Sequence, residues 1–187
     1  QRISKQAACA PARAVPGTAL CPTWRRFVLD VMCGDQELAD YLQRVVGYAV
    51  TGHNREQKLW FFEGFGSNGK TTFLETLAKV LGDYATTARF ESFIAKDTTS
   101  INNDIAALQG RRFVYAEEPK QGARFDTASI KELTGGGKVK ARLLFKEFFE
   151  FDPQFTLFFA ANFKPAVNDA SDGFWRRIVV VPWRARW

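Results

Sequence analysis

Gly64-Phe65-Gly66-Ser67-Asn68-Gly69-Lys70-Thr71 is the stretch whose reading decides the fold. An apolar run at 59–62 stands directly before it. Phe73, Leu74, Leu77, Ala78 and Leu81 follow at the spacing of one helical face, with Gly82 behind them as a stop. The stretch fits the pattern GxxxxGK[ST] between a strand and a helix, and physical chemistry explains that spacing. Gly64, Gly66 and Gly69 let the backbone curl until successive N–H groups point inward at a phosphate, and the helix N-terminus behind them adds its partial positive charge. The residues predicted to cradle the phosphates are Gly64, Gly66, Ser67, Asn68, Gly69, Lys70, Thr71 and Thr72. Among them Lys70 would reach the β- and γ-phosphates of a nucleoside triphosphate, and the Thr71 hydroxyl would ligate Mg2+.

Reading outward toward the carboxyl terminus, Phe113-Val114-Tyr115-Ala116 has the character of a short buried strand that ends in Glu117-Glu118. Two acids at the carboxyl end of a strand can serve a magnesium shell and polarise an attacking water, with Glu117 nearer the metal role and Glu118 the general base. A second apolar run at 155–161 delivers Asn162, whose neutral amide can hold the lytic water or sense the γ-phosphate. Between these lie three glycines, 135–137, and the alternating stretch Lys138-Val139-Lys140-Ala141-Arg142-Leu143-Leu144-Phe145-Lys146. Period-2 geometry puts Lys138, Lys140, Arg142 and Lys146 on one face of a ribbon and Val139, Ala141, Leu143 and Phe145 on the other. With the returning run 148–151 this predicts a hairpin whose tip falls near Lys146-Glu147 and whose lysines meet a nucleic-acid backbone. An amphipathic edge strand guarded by lysines is the competing reading.

Toward the amino terminus, Trp24, Phe27, Val28 and Val31 share a helical face behind Thr23 as a cap. Asp35 opens a second helix with its stripe at Leu38, Leu42, Val45, Val46 and Ala49, closed by Gly52. Residues 1–22 are rich in Ala and Pro and read as a flexible tail or linker. The expected organisation is therefore a tail at 1–22, a helical segment at 23–54 and an α/β domain at 55–187, as a piece of a longer polypeptide. The chain has 187 residues, 46% of them hydrophobic and 18 of them Phe, which excludes a disordered chain. The 26 Lys and Arg exceed the 20 Asp and Glu, for a net charge of +6 that suits a polyanionic partner. Cys9, Cys21 and Cys33 form no CxxC pair, and no apolar run approaches the length of a membrane span. A reduced, soluble, intracellular protein that is not secreted is expected.

The motif set 64–72, 108–118, 130–142, 161–165 and 172–183, taken in order, resembles the superfamily 3 helicase domain of phage, plasmid and large-DNA-virus primase-helicases. The resemblance runs from about Pro22 to Trp183. It implies an AAA+-like P-loop NTPase with a five-stranded parallel sheet, preceded by the end of a helical collar at 24–50. It also implies a homo-hexameric ring with ATP sites between subunits, a central hairpin that grips single-stranded DNA, and an arginine finger at Arg177 or its neighbour Arg176. A primase domain, linked or separate, is a further partner implied. The family often carries Asp or Asn where Gly137 stands, and a small residue where Glu117 stands. An ATP-dependent DNA helicase core is the leading expectation. A DNA-binding ATPase that initiates or remodels without separating strands, and a small-molecule P-loop kinase, remain as alternatives.

Overall fold

Leu59-Trp60-Phe61-Phe62 is apolar at every position, which suits a strand covered on both faces. The computed structural model describes residues 5–8, 21–95, 103–117, 122–167 and 171–186. In chain order its elements are α1 (Pro22–Val31), α2 (Gln36–Thr51), β1 (Leu59–Glu63), α3 (Lys70–Leu81), β2 (Ala85–Thr87), α4 (Asn103–Ala106), β3 (Phe113–Glu117), α5 (Thr127–Thr134), β4 (Val139–Arg142), β5 (Phe148–Phe151), β6 (Thr156–Ala161), α6 (Asp172–Trp175) and β7 (Ile178–Pro182).

The central sheet has five strands in the order β2-β3-β6-β1-β7, and every neighbouring pair is parallel. The α/β expectation with a central parallel sheet is met. β4 and β5 form a separate antiparallel ribbon. The short elements β2, α4 and α6 were not anticipated, because runs of three or four residues leave too little periodicity to detect.

Alternation along the strands divides the core between the two faces of the sheet. Leu59, Phe61, Val114, Leu157 and Phe159 meet Phe90, Phe93, Phe125, Ile130 and Phe174 on one side. Trp60, Phe62, Phe113, Tyr115 and Phe158 meet α1, α2 and α3 on the other. The abundance of Phe is used here, with Phe113 stacked on Phe158 at 4.4 Å between centroids and Phe93 tilted against Phe159 at 4.8 Å.

α1 and α2 share the core of α3. Trp24 stacks on Phe73 at 5.4 Å, and the Trp60 indole N–H donates to the Tyr41 hydroxyl at 2.9 Å. α1 starts at Pro22 rather than behind Thr23, since proline's fixed φ and missing N–H suit a first helical position. α2 is capped as expected, with Asp35 accepting from the Leu38 N–H at 3.0 Å and Gly52 left-handed at φ 70°. Residues 5–8 lie along the end of α3, where the Ala8 N–H donates to Val80 O at 3.2 Å and the Asp83 N–H to Gln6 O at 3.0 Å.

Register places the candidate chemistry. Glu63 of β1 sits beside Ala161 of β6, and Glu117 of β3 beside Ala160, so the loop after β1, the acid of β3 and Asn162 share the carboxyl edge of the sheet. The Leu59 N–H donates to Arg177 O at 2.8 Å, which puts the arginine pair at the opposite, amino edge.

Candidate functional site

The loop between β1 and α3 is held by ties that cross the fold. Gly69 is left-handed at φ 82°, and a Cβ there would stand 2.7 Å from Val31 Cγ1 of α1. Only glycine meets both conditions. Ser67 is also left-handed, at φ 57°, a conformation that costs a residue with a Cβ and that collects at functional loops.

Asn68 is 3% exposed. Its side-chain nitrogen donates to Phe65 O at 2.7 Å and to Trp183 O at 3.2 Å, while its backbone carbonyl accepts from the Trp183 indole at 2.5 Å. Trp183 also donates its backbone N–H to Glu63 O at 2.6 Å, and its buried ring lies against Phe62 and Phe73. A Cβ on Gly64 would collide with the Trp183 carbonyl. Trp183 is thus a support of the loop to which sequence reasoning gave no role, although it closes the last of the motifs quoted above.

Lys70, at 7% exposure, opens α3 inside this loop. Its ammonium donates to Gly64 O, to Asn68 Oδ1 at 3.1 Å and to Asn162 Oδ1 at 3.5 Å. The exposed Thr71 hydroxyl donates to Glu117 Oε1 at 2.6 Å. Lys70, Thr71, Glu117 and Asn162 therefore converge, although they come from three separate parts of the chain. Hydroxyl and carboxylate oxygens side by side are the hard donors that Mg2+ takes, so Thr71 and Glu117 fit such an ion. Gly66 is exposed on the same loop, and Thr72 is exposed in the first turn of α3. Glu118 lies outside the described residues. Lys164, two positions beyond Asn162, pairs with Glu63 at 3.0 Å on this edge.

The structure gives the two arginines different surroundings. Arg177 does not reach outward. It is 8% exposed, and its guanidinium donates to Thr134 Oγ1 at 3.1 Å and to Gly173 O. Its pKa is lowered, by burial first and by the neighbouring Arg176 charge second. The physical reason for the position is the carboxyl end of α5, where a cation is favoured by the helix dipole. Arg176 is the exposed member, with one guanidinium nitrogen donating to Gln57 Oε1 at 3.2 Å.

The ribbon is present, with Val139 opposite Phe151 and Arg142 opposite Phe148. Lys138, Lys140 and Lys146 are exposed, and Val139 and Ala141 are buried. The expected alternation ends at Arg142. Leu143 and Phe145 are exposed instead of covered, and Phe145, at 91%, stands at the centre of the turn with φ 60°. The Lys146 N–H donates back to Leu143 O at 3.0 Å, so the tip falls one residue before Lys146. Turn geometry overrides strand period here. Lys140 and Arg142 both lie over the Phe148 ring, at 5.1 and 5.2 Å from its centroid.

The class this geometry defines is an α/β protein with a central parallel sheet and a glycine-rich strand-to-helix loop at its carboxyl edge. A family profile described as a family of unknown function, DUF5906, matches residues 62–177, and the chain belongs to that family. A protein of Acanthamoeba polyphaga mimivirus provisionally named helicase L207/L206 is 30% identical over 154 residues, which cover 81% of this chain and 16% of that protein. A protein of African swine fever virus provisionally named primase C962R is 32% identical over 123 residues, covering 64% of this chain and 13% of that one. The chain thus spans about a sixth of the first relative's length and about an eighth of the second's. The C-terminal region of NrS-1 has the same fold, with a TM-score of 0.62 at 14% identity over 86% of this chain and 37% of that one. Among the described residues no helix is long and apolar enough to cross a membrane.

Proposed function

We propose that this chain is the ATPase core of a superfamily 3 DNA helicase, AAA+-like in architecture, which hydrolyses ATP at the interfaces of a homo-hexameric ring to move along single-stranded DNA during viral or plasmid replication. The observation that carries the reading is the convergence of Lys70, Thr71, Glu117 and Asn162 at the loop that follows β1. The relatives with helicase and primase names support it, and a primase domain elsewhere in the full polypeptide fits the same picture.

In this reading the loop N–H groups and Lys70 bind the β- and γ-phosphates, which replace Gly64 O and Asn68 as partners of the ammonium. Glu118 accepts a proton from a water that Asn162 orients, the water oxygen bonds to the γ-phosphorus, and ADP leaves with the electron pair of the broken P–O bond. Thr71 and Glu117 hold Mg2+, which when bound supplies neutralising charge to the phosphate oxygens. β1 has five residues, so Arg176 at the amino edge is about 15 Å or more from the chain's own loop. It can serve as an arginine finger only on a neighbouring subunit's ATP. Lys138, Lys140 and Lys146 contact the DNA backbone through the exposed ribbon.

Lys70→Ala is expected to reduce ATP turnover by about a hundredfold or more, because nothing else in the loop supplies a full positive charge. Turnover within about twofold of the parent would overturn the phosphate-loop assignment. Displacement of the duplex strand on a forked substrate, measured with the flanking domains attached, separates a helicase from an ATPase that binds DNA without opening it.

A further inference from the structure

Gln57 occupies the left-handed region at φ 54°, which side chains other than Gly, Asn and Asp seldom adopt. It stands in the loop between α2 and β1. Its amide is used at both ends. Oε1 accepts from Arg176 at 3.2 Å, and Nε2 donates to Gly135 O at 3.1 Å. Gly135 is the C-cap of α5 and the first of the glycines that lead into β4. One uncharged group therefore joins the arginine pair to the root of the basic ribbon. An amide suits the position because it accepts at one atom and donates from the other.

The same helix end is held from both flanks. Asn54 Nδ2 donates to Leu133 O at 3.1 Å, and Arg177 donates to Thr134 Oγ1 at 3.1 Å. These ties fix α5 itself, while Gln57 takes the carbonyl just beyond it. Past that point the chain is loosely packed, since a Cβ on Gly136 or Gly137 would meet no atom within 4 Å. Gly136 and Gly137 therefore have room to follow a displacement at Gly135.

We infer that Gln57 is a positioning residue that couples Arg176 to the root of the β4–β5 hairpin. The inference rests on the reading above, in which Arg176 meets a neighbour's triphosphate and the hairpin meets DNA. When the guanidinium turns toward a phosphate it withdraws its hydrogen bond from Gln57, the amide is freed to reorient, and Gly135 O loses or regains its donor. Nucleotide state at the subunit boundary would thereby reach the DNA grip of the same subunit.

Amide hydrogen exchange on the full chain tests the coupling with no need for turnover. Gln57→Gly removes the relay and accepts the positive φ, so the variant should fold. Arg176→Ala and Gln57→Gly are each expected to speed exchange across residues 136–142 by roughly threefold or more, and the double variant is expected to exchange no faster than the faster single. Effects that multiply in the double variant, or an Arg176→Ala protein with unchanged hairpin exchange, would overturn the inference. Gln57→Glu keeps an acceptor for Arg176 but turns a carboxylate oxygen toward Gly135 O, so it should exchange as fast as Gln57→Gly; exchange as slow as the parent's would also overturn it. ATP hydrolysis by the parent is read separately. A parent that hydrolyses none counts against the ATPase reading, while the exchange cycle decides the coupling by itself.

Discussion

The loop at 64–71 and the turn at 143–147 are both short connections between regular elements, yet the first is tied across the fold and the second stands in solvent. In the loop, Asn68 and Lys70 are buried, and Trp183 closes over them with an indole donor, a backbone donor and a packed ring. At the turn, Phe145 is 91% exposed and Phe148, at 55%, is covered in part by Lys140 and Arg142. A phosphate site gains from rigidity, because donors that are already aimed need no reordering when charge arrives. A surface that grips a moving strand, as proposed above for the ribbon, would gain from side chains that adapt. Substitutions at the first should therefore cost folding and function together, and those at the second function alone.

Trp183→Ala should have the largest effect, destabilising the protein by about 3–5 kcal/mol as a buried aromatic is lost and the loop is released. Chemical denaturation would measure it, and a loss below about 1 kcal/mol would mean that the loop is not held from this side. Arg177→Met comes next. It strips Gly173 O and Thr134 of a buried charged donor and should cost about 1–3 kcal/mol. Arg176→Ala should stay within about 0.5 kcal/mol of the parent while, on the ring reading proposed above, ATP turnover falls. If the two arginines change places in this comparison, so that Arg176→Ala unfolds the protein and Arg177→Met abolishes turnover alone, the division of labour drawn from their exposure is wrong.

The sequence carried the loop well because its residues are chosen by local backbone demands. Gly69 must be left-handed, Lys70 must open the helix, and the flanking strand and helix have strong periods. The α/β character followed from the same alternation of buried runs and helical faces, whereas the parallel sheet was what the family resemblance implied. Less was legible where tertiary contacts decide. Nothing in the string of letters marks Gln57 as a bridge, since a polar residue in a short loop is ordinary. Trp183 closes the last motif in the sequence but shows no role there, because its partners are more than a hundred positions away. The arginine pair lies directly before β7, where the sequence puts it, but which member is buried depends on the carboxyl end of α5, an element that meets it only in the fold. The hairpin tip slipped by one residue because the period of a strand was extended through a turn that breaks it.

That slip yields the smallest and sharpest test. With the tip at Lys146, its charge would dominate the contact with DNA; with the tip at Phe145, an aromatic face leads and the charge stands beside it. Stacking of a base on an aromatic side chain is worth about 1–3 kcal/mol and hardly depends on salt. A phosphate contact, by contrast, contributes about 0.7 to the slope of log affinity against log salt for a single strand, and at moderate salt it costs little when removed. Phe145→Ser should therefore weaken single-strand binding by roughly tenfold with the slope unchanged. Lys146→Gln should weaken it by only about twofold to threefold near physiological salt while lowering the slope by about 0.7. Neither substitution should alter stability by more than about 0.5 kcal/mol, since both side chains are exposed. Fluorescence titrations of a labelled oligonucleotide at several salt concentrations would give both quantities. If Lys146→Gln proves the more damaging at every salt concentration and Phe145→Ser is silent, the exposed aromatic is incidental and the grip is electrostatic throughout.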